Sequence, residues 1–256
     1  MTSSSVNLLF TTMVVVVVNT LNPMNLRYIT LLMLLFSLSV VAQKSIHNLW
    51  TAALQEHVDD DGNVNYKSWK EDTTYLDNYI QTLEDNPPTE VWSKNDSLAY
   101  FINAYNAVTV KLILDNYPLK SIKNLITPWR LKRFTLDGKK ISLNDIEHEI
   151  LRKMNEPRIH FAINCASASC PKLINVAFES HTMETQLEEV TRDFINDPER
   201  NKISEKKIQL SRIFQWFDAD FGNKKERIAF IRKYADQPFD ENPKVSFLTY
   251  DWLLNE

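Results

Sequence analysis

The chain has 256 residues, with 29 Lys and Arg against 33 Asp and Glu, for a formal net charge of −4. Its basic residues are scattered apart from short runs at 130–133 and 206–207, which leaves no electrostatic footprint for nucleic acid, and no nucleic-acid partner is expected. Only 3 glycines are present, which argues against Gly-rich phosphate loops and hairpin-dense β architectures, while 6 Trp, 13 Phe and 9 Tyr supply bulky core material.

The first 42 residues contain one charged side chain, Arg27. Met24–Arg27 gives the short cationic start of an export signal, Tyr28–Val41 its apolar run, and Val40 and Ala42 the small residues before a cut. Residues 24–42 are therefore read as a cleaved signal peptide. Residues 1–23 do not fit that scheme, and translation is expected to start at Met24. A spanning helix needs ~20 apolar residues; Tyr28–Ala42 offers 15, so no stable membrane span is expected after cleavage. Loss of Arg27 moves the formal charge from −4 to −5. The expected product is one exported domain, residues 43–256, periplasmic or extracellular.

Along that domain, Ile46–Val58 has the apolar spacing of an amphipathic helix, with Trp50, Leu54 and Val58 at successive turns. The acidic run around Gly62 fails as a calcium loop, because His57 and Ser68 stand where Asp and a bidentate Glu are required. A tight turn at Asp61-Gly62 and a short strand are expected instead. Helices are predicted over Glu71–Leu83 and Ser93–Asn116, the second with one apolar stripe through Leu98, Phe101, Tyr105, Val108 and Leu112. Phe134–Leu143 reads as a hairpin around Asp137-Gly138. Ser142 caps a helix running to Lys153, and Arg158–Asn164 reads as a buried strand entering the small-residue loop Cys165–Pro171. Further helices are predicted over Glu179–Asn196 and Lys225–Ala235, with strands at Lys207–Leu210 and Val245–Tyr250. In the stretch between them, Trp216, Phe217 and Phe221 read as core aromatics, and Asp218 and Asp220 as solvated or paired with an Arg. The fold class is α+β: a helix-rich single domain with a small mixed or antiparallel sheet.

Three segments carry polar groups that ask for a role. Asn103 and Asn106, flanking Tyr105 inside the long helix, either hold a substrate or catalytic group or bond neighbouring backbone. Glu147-His148 offers a general base beside an acid, but HExxH is absent because Leu151 and Arg152 follow, so no metal is expected. The loop from Cys165 through Ser169, Cys170 and Pro171 offers hydroxyls, thiols and free N–H groups, the ingredients of a nucleophile site. In an oxidising compartment the same two cysteines can close as a disulfide.

The runs Phe101–Ala107, Ile146–Arg152 and Arg158–Pro171 together resemble the domain of unknown function 547 (DUF547) family, over roughly residues 46–235. The resemblance implies a shared constellation of Asn103, Tyr105, Asn106, Glu147, His148, Ser169 and Pro171, and exported bacterial members. Plant relatives carry leucine zippers that this chain lacks, so no coiled-coil partner is expected; no cofactor motif is present either. Two functions follow. One is an envelope binding or structural module, favoured on the sequence. The other is a cysteine-dependent hydrolase or acyl-transferase of papain-like logic, with Cys170 attacking, His148 as base, and Asn106 or Glu147 orienting the imidazole.

Overall fold

Among the described residues the first helix, α1 (Asn48–His57), buries Trp50 and Leu54. The Trp50 ring lies between Trp69 and Tyr79, at centroid distances of 5.8 and 5.7 Å. This computed structural model describes residues 45–256. The expected leader, its cut and the start at Met24 lie outside the described residues. After α1 the chain turns at Gly62, whose φ is +81°, and Val58 and Val64 meet in one antiparallel bridge. A Cβ at Gly62 would sit 2.8 Å from the Lys172 Cβ, so only glycine fits this turn. The expected short strand is thus a single bridge, followed by α2 (Tyr66–Trp69) and α3 (Thr74–Asp85).

Helix α4 (Lys94–Asn116) starts at a reciprocal cap in which Ser93 Oγ accepts the Asp96 N–H (3.1 Å) and the Asp96 carboxylate accepts the Ser93 N–H (2.8 Å). Every residue from Leu98 to Val110 is buried. The predicted single stripe is therefore corrected: α4 is covered on all faces and forms the axis of the core. By length and composition it could cross a membrane, yet its apolar window is 89% buried inside this domain.

Strands β1 (Lys132–Leu136) and β2 (Lys139–Ser142) form the expected hairpin, with Asp137 and Gly138 both at positive φ. Ser142 caps the next segment through Asp145, as predicted. That segment is not a regular α-helix. It runs as a π-helix over Asp145–Ile150 and a 3-10 helix over Leu151–Met154. The predicted strand at 158–164 is a 3-10 helix, Pro157–Phe161. Pro157 presets the turn, the Glu156 carboxylate accepts the Arg158 N–H, and no strand is available to pair with.

The C-terminal part holds α5 (Met183–Asn196), β3 (Lys202–Ser204), β4 (Lys207–Leu210), α6 (Ile213–Trp216), α7 (Lys224–Tyr234) and β5 (Lys244–Phe247). β4 pairs antiparallel with β3 and parallel with β5, so this sheet is mixed. With two small sheets set among helices the class is α+β, and Ser45–Glu256 is one compact unit. The last residues strap it together. The Asn255 carbonyl accepts the Val64 N–H (2.7 Å), the Leu253 carbonyl accepts the Ala168 N–H (2.8 Å), and the Leu254 N–H donates to Lys120 O (3.1 Å).

Candidate functional site

The two helix amides explain how the loop beyond residue 161 is held without a sheet. Asn103 Nδ2 donates to Phe178 O (2.8 Å) and its Oδ1 accepts the Phe178 N–H (3.0 Å). Asn106 repeats the pattern one turn on, donating to Ala162 O (2.9 Å) and accepting the Asn164 N–H (2.8 Å). Each amide presents a donor and an acceptor as a strand edge would, so a helix satisfies irregular backbone. Asn164 passes the clamp forward, donating to Pro171 O (2.7 Å) and accepting the Ala166 N–H (2.7 Å). Ala166 is held at φ +57°, a left-handed conformation uncommon for a residue with a Cβ.

Within this loop Cys165 and Cys170 are joined as a disulfide. The Cys170 Sγ accepts the Cys165 N–H (3.0 Å) and the Tyr250 hydroxyl (3.2 Å). Ser167 Oγ lies 3.1 Å from the Tyr250 oxygen and 3.3 Å from the same sulfur. It has one proton, so it serves one of them at a time. From behind, Arg200 donates to Cys170 O (2.6 Å) and Ala168 O (3.3 Å).

A cavity of about 380 Å³ opens onto Cys165, Cys170 and Pro171. Tyr105, Glu147, His148 and His160 form its polar wall. Trp129, Trp216, Phe217, Tyr250 and Trp252 form its aromatic wall, and the exposed Thr127 and Arg130 stand at the rim. This size is within the usual range for small-molecule sites.

The charges of the polar wall form one chain. Arg152 binds the Asp220 carboxylate twice (2.6 and 2.7 Å), and His160 Nε2 lies 2.7 Å from Asp220 Oδ2. Arg152 also donates to His148 Nδ1 (3.0 Å). Burial would raise the Asp220 carboxyl, but the hydrogen bonds from His160 and Arg152 outweigh it and hold the group well below the usual range. Burial lowers both His160 and His148; Asp220 opposes this for His160, while the Arg152 charge adds to it for His148. The two neutral rings therefore carry different protons. His148 accepts at Nδ1 and keeps its proton on Nε2, whereas His160 donates from Nε2 to Asp220 and keeps a lone pair at Nδ1. Glu147 accepts the Tyr105 hydroxyl (3.1 Å), and burial, only partly offset by that bond, lifts its carboxyl to about 7. Burial pushes Tyr250 up to about 12, so its hydroxyl remains a donor.

Of the residues singled out in the sequence, Tyr105, Glu147, His148, Cys165, Cys170 and Pro171 meet at this cavity. Asn106 does not orient an imidazole; for Asn103 and Asn106 the backbone-bonding alternative holds, since both amides are spent on backbone. Ser169 Oγ accepts the Asp251 N–H (2.8 Å) and so fastens the C-terminal strap. Trp216 corrects the core reading of its segment, being 46% exposed on the cavity wall, while Phe221 is core as expected. Phe217 stacks on His160 at 4.1 Å. Sequence reasoning missed His160 and Asp220 as a pair. They are 60 residues apart, and only the Asp-rich stretch near a possible Arg gave a hint. Among the described residues no group of three or more His, Cys, Asp and Glu side chains comes together as a cation cage.

No curated protein and no solved structure matches the chain. The model of the family described as a protein of unknown function, DUF547, matches residues 89–195, so that segment is similar to the DUF547 family.

Proposed function

We propose that the cavity is the active site of a thiol-dependent acyl hydrolase or acyl-transferase, working in the reduced state of the Cys165–Cys170 pair. One observation carries the reading. The Cys170 sulfur is met by two donors, the Cys165 N–H and the Tyr250 hydroxyl, in a cavity whose lining also includes a buried, Asp-tethered histidine. Such donors favour a thiolate over a thiol, and the thiolate is the nucleophile.

The role of base passes from His148 to His160, because His148 Nδ1 is already occupied by Arg152. An external dithiol opens the disulfide and is itself oxidised to a disulfide. Cys170 then gives its proton to His160 Nδ1 and attacks the acyl carbon. The bond to the leaving group breaks, and the leaving group takes the proton from His160. Water or an acceptor nucleophile next attacks the thioester, losing a proton to His160 and returning the thiol. Asp220 keeps the imidazole in the required tautomer and stabilises its charged form.

A second reading, a non-catalytic exported binding module, is favoured by the disulfide itself, which suits an oxidising compartment and silences both thiols. The two readings part on alkylation of the protein reduced with dithiothreitol. The enzyme reading expects a Cys170 thiol pKa well below ~8.5, a return toward that value in His160→Gln, and an acyl-enzyme mass shift with p-nitrophenyl esters. An ordinary pKa that ignores His160, with no acyl-enzyme, overturns it in favour of the binding module.

A further inference from the structure

The aromatic wall and the rim are built from a different chemistry than the sulfur loop, and together they select a ligand. Trp216 stacks near Trp252 at 5.7 Å and lies against Tyr250 at 4.8 Å, and Trp129 meets Trp252 edge-on at 5.9 Å. Four rings thus make one continuous apolar face, while Trp216 remains 46% exposed. Two cations border that face. Lys123 Nζ sits 4.8 Å above the Trp252 ring, and Arg130 stands at the rim on an exposed turn. Arg130 carries no ion pair among the described residues, in contrast to Arg152, which Asp220 holds.

The rim is also held at a cost. Thr127, the residue before Pro128-Trp129-Arg130, has φ +46° and ψ +50°. A β-branched side chain in the left-handed region is a true outlier, and such positions persist only where their surroundings impose them. Here the strained residue opens the turn that carries Trp129 and Arg130, and all three line the cavity. A cage of aromatic rings is otherwise suited to a quaternary ammonium. With Arg130 and Lys123 beside the rings, Asp220 neutralised by Arg152, and the Glu147 carboxyl protonated below its raised value of about 7, the local charge disfavours a cation in that range.

We infer that the cavity binds a small amphipathic monoanion, an aryl or short-chain acyl body lying on the Trp129–Trp216–Trp252 face with its negative group at Arg130. The inference rests on this cavity being the working site and names the substrate class for it. It requires no chemistry at the sulfur, so it is tested on the oxidised protein by tryptophan-fluorescence titration with three probes of one shape: 3-phenylpropionate, 3-phenylpropionamide and 3-phenylpropylamine. The anion is expected to bind at least about tenfold tighter than the amide or the amine, a difference worth about 1.4 kcal/mol. Arg130→Gln is expected to erase that preference, and Trp216→Ala to weaken all three probes. Equal affinities, a preference for the amine, absence of binding by any probe, or an anion preference that survives Arg130→Gln overturns the inference. If the anion binds as expected and no acyl-enzyme forms after reduction, the ligand class stands and the thiol chemistry falls. If the acyl-enzyme forms and the anion is not preferred, the reverse holds.

Discussion

Residues 89–195, the segment matched by the family, and residues 196–256 contribute opposite materials to one cavity. The first brings both cysteines, both histidines, Glu147 and Arg152, all capable of proton or electron-pair chemistry. The second brings mostly rings: Trp216, Phe217, Tyr250 and Trp252. Asp220 carries charge across this division, accepting hydrogen bonds from Arg152 and His160, while Tyr250 and Arg200 cross it to the Cys170 sulfur and carbonyl. On the proposed reading the matched segment supplies the sulfur and proton-carrying groups together with Trp129 and Arg130 of the rim, and the remainder supplies most of the aromatic face.

The comparison can be broken at four places. The largest expected effect is at Asn106. Asn106→Leu strands the Ala162 carbonyl and the Asn164 N–H in the core, which costs about 3 kcal/mol or more in a urea titration. A loss below about 1 kcal/mol would mean that the loop does not depend on the helix. Glu147 comes next. Its folded carboxyl binds a proton more tightly than the unfolded one, rising from 4.5 to about 7. The stability due to the protonated form is full below the lower value and is lost as pH climbs through the upper one, about 3 kcal/mol in all. Glu147→Gln is expected to abolish this decline in melting temperature between the two values. A slope unchanged in the variant would assign the titration elsewhere.

Asp220→Asn tests the link between the halves. It removes the charge that Arg152 and His160 share, at a cost of about 2 kcal/mol, and should return Cys170 toward an ordinary thiol. Preserved thiol reactivity alongside lowered stability would make Asp220 a structural partner alone. The smallest stability effect belongs to Trp216→Ala, about 1 kcal/mol or less, because nearly half of the residue is open to solvent. Its consequence is read in ligand affinity. A large fall in melting temperature there would restore the core reading of that ring.

Much of the fold was legible because its signals are local. The Ser93–Asp96 and Ser142–Asp145 caps, the Asp137-Gly138 turn and the apolar spacing of α1 each declare themselves within a few residues. The strand expected at Arg158–Asn164 failed for a nonlocal reason. Its apolar content reports burial, which a 3-10 turn satisfies equally well once Asn106 takes up the backbone groups. For the site, the thiol loop and Glu147-His148 were visible as unusual polar groups in apolar surroundings. Which histidine has an available lone pair was not. That depends on Arg152 reaching one ring and Asp220 the other, and the second partner arrives from the far end of the fold. Trp216 misled because a large aromatic is core material by default, and only the tertiary arrangement leaves it open to solvent.

The loop carrying the sulfurs is fastened on every side by bonds that do not involve sulfur. Asn106 and Asn164 hold its ends, Arg200 its outer carbonyls, and the C-terminal strap takes the Ala168 N–H. Reducing the disulfide therefore changes the reactivity of the loop while its shape is already prescribed. The amide protons of Ala166, Ala168 and Cys170, each donating to a partner within the fold, should exchange with deuterium at similar rates in the oxidised and reduced protein. The electronic state of the sulfurs is in that sense separable from the mechanics of the backbone, so that switching one requires no refolding of the other.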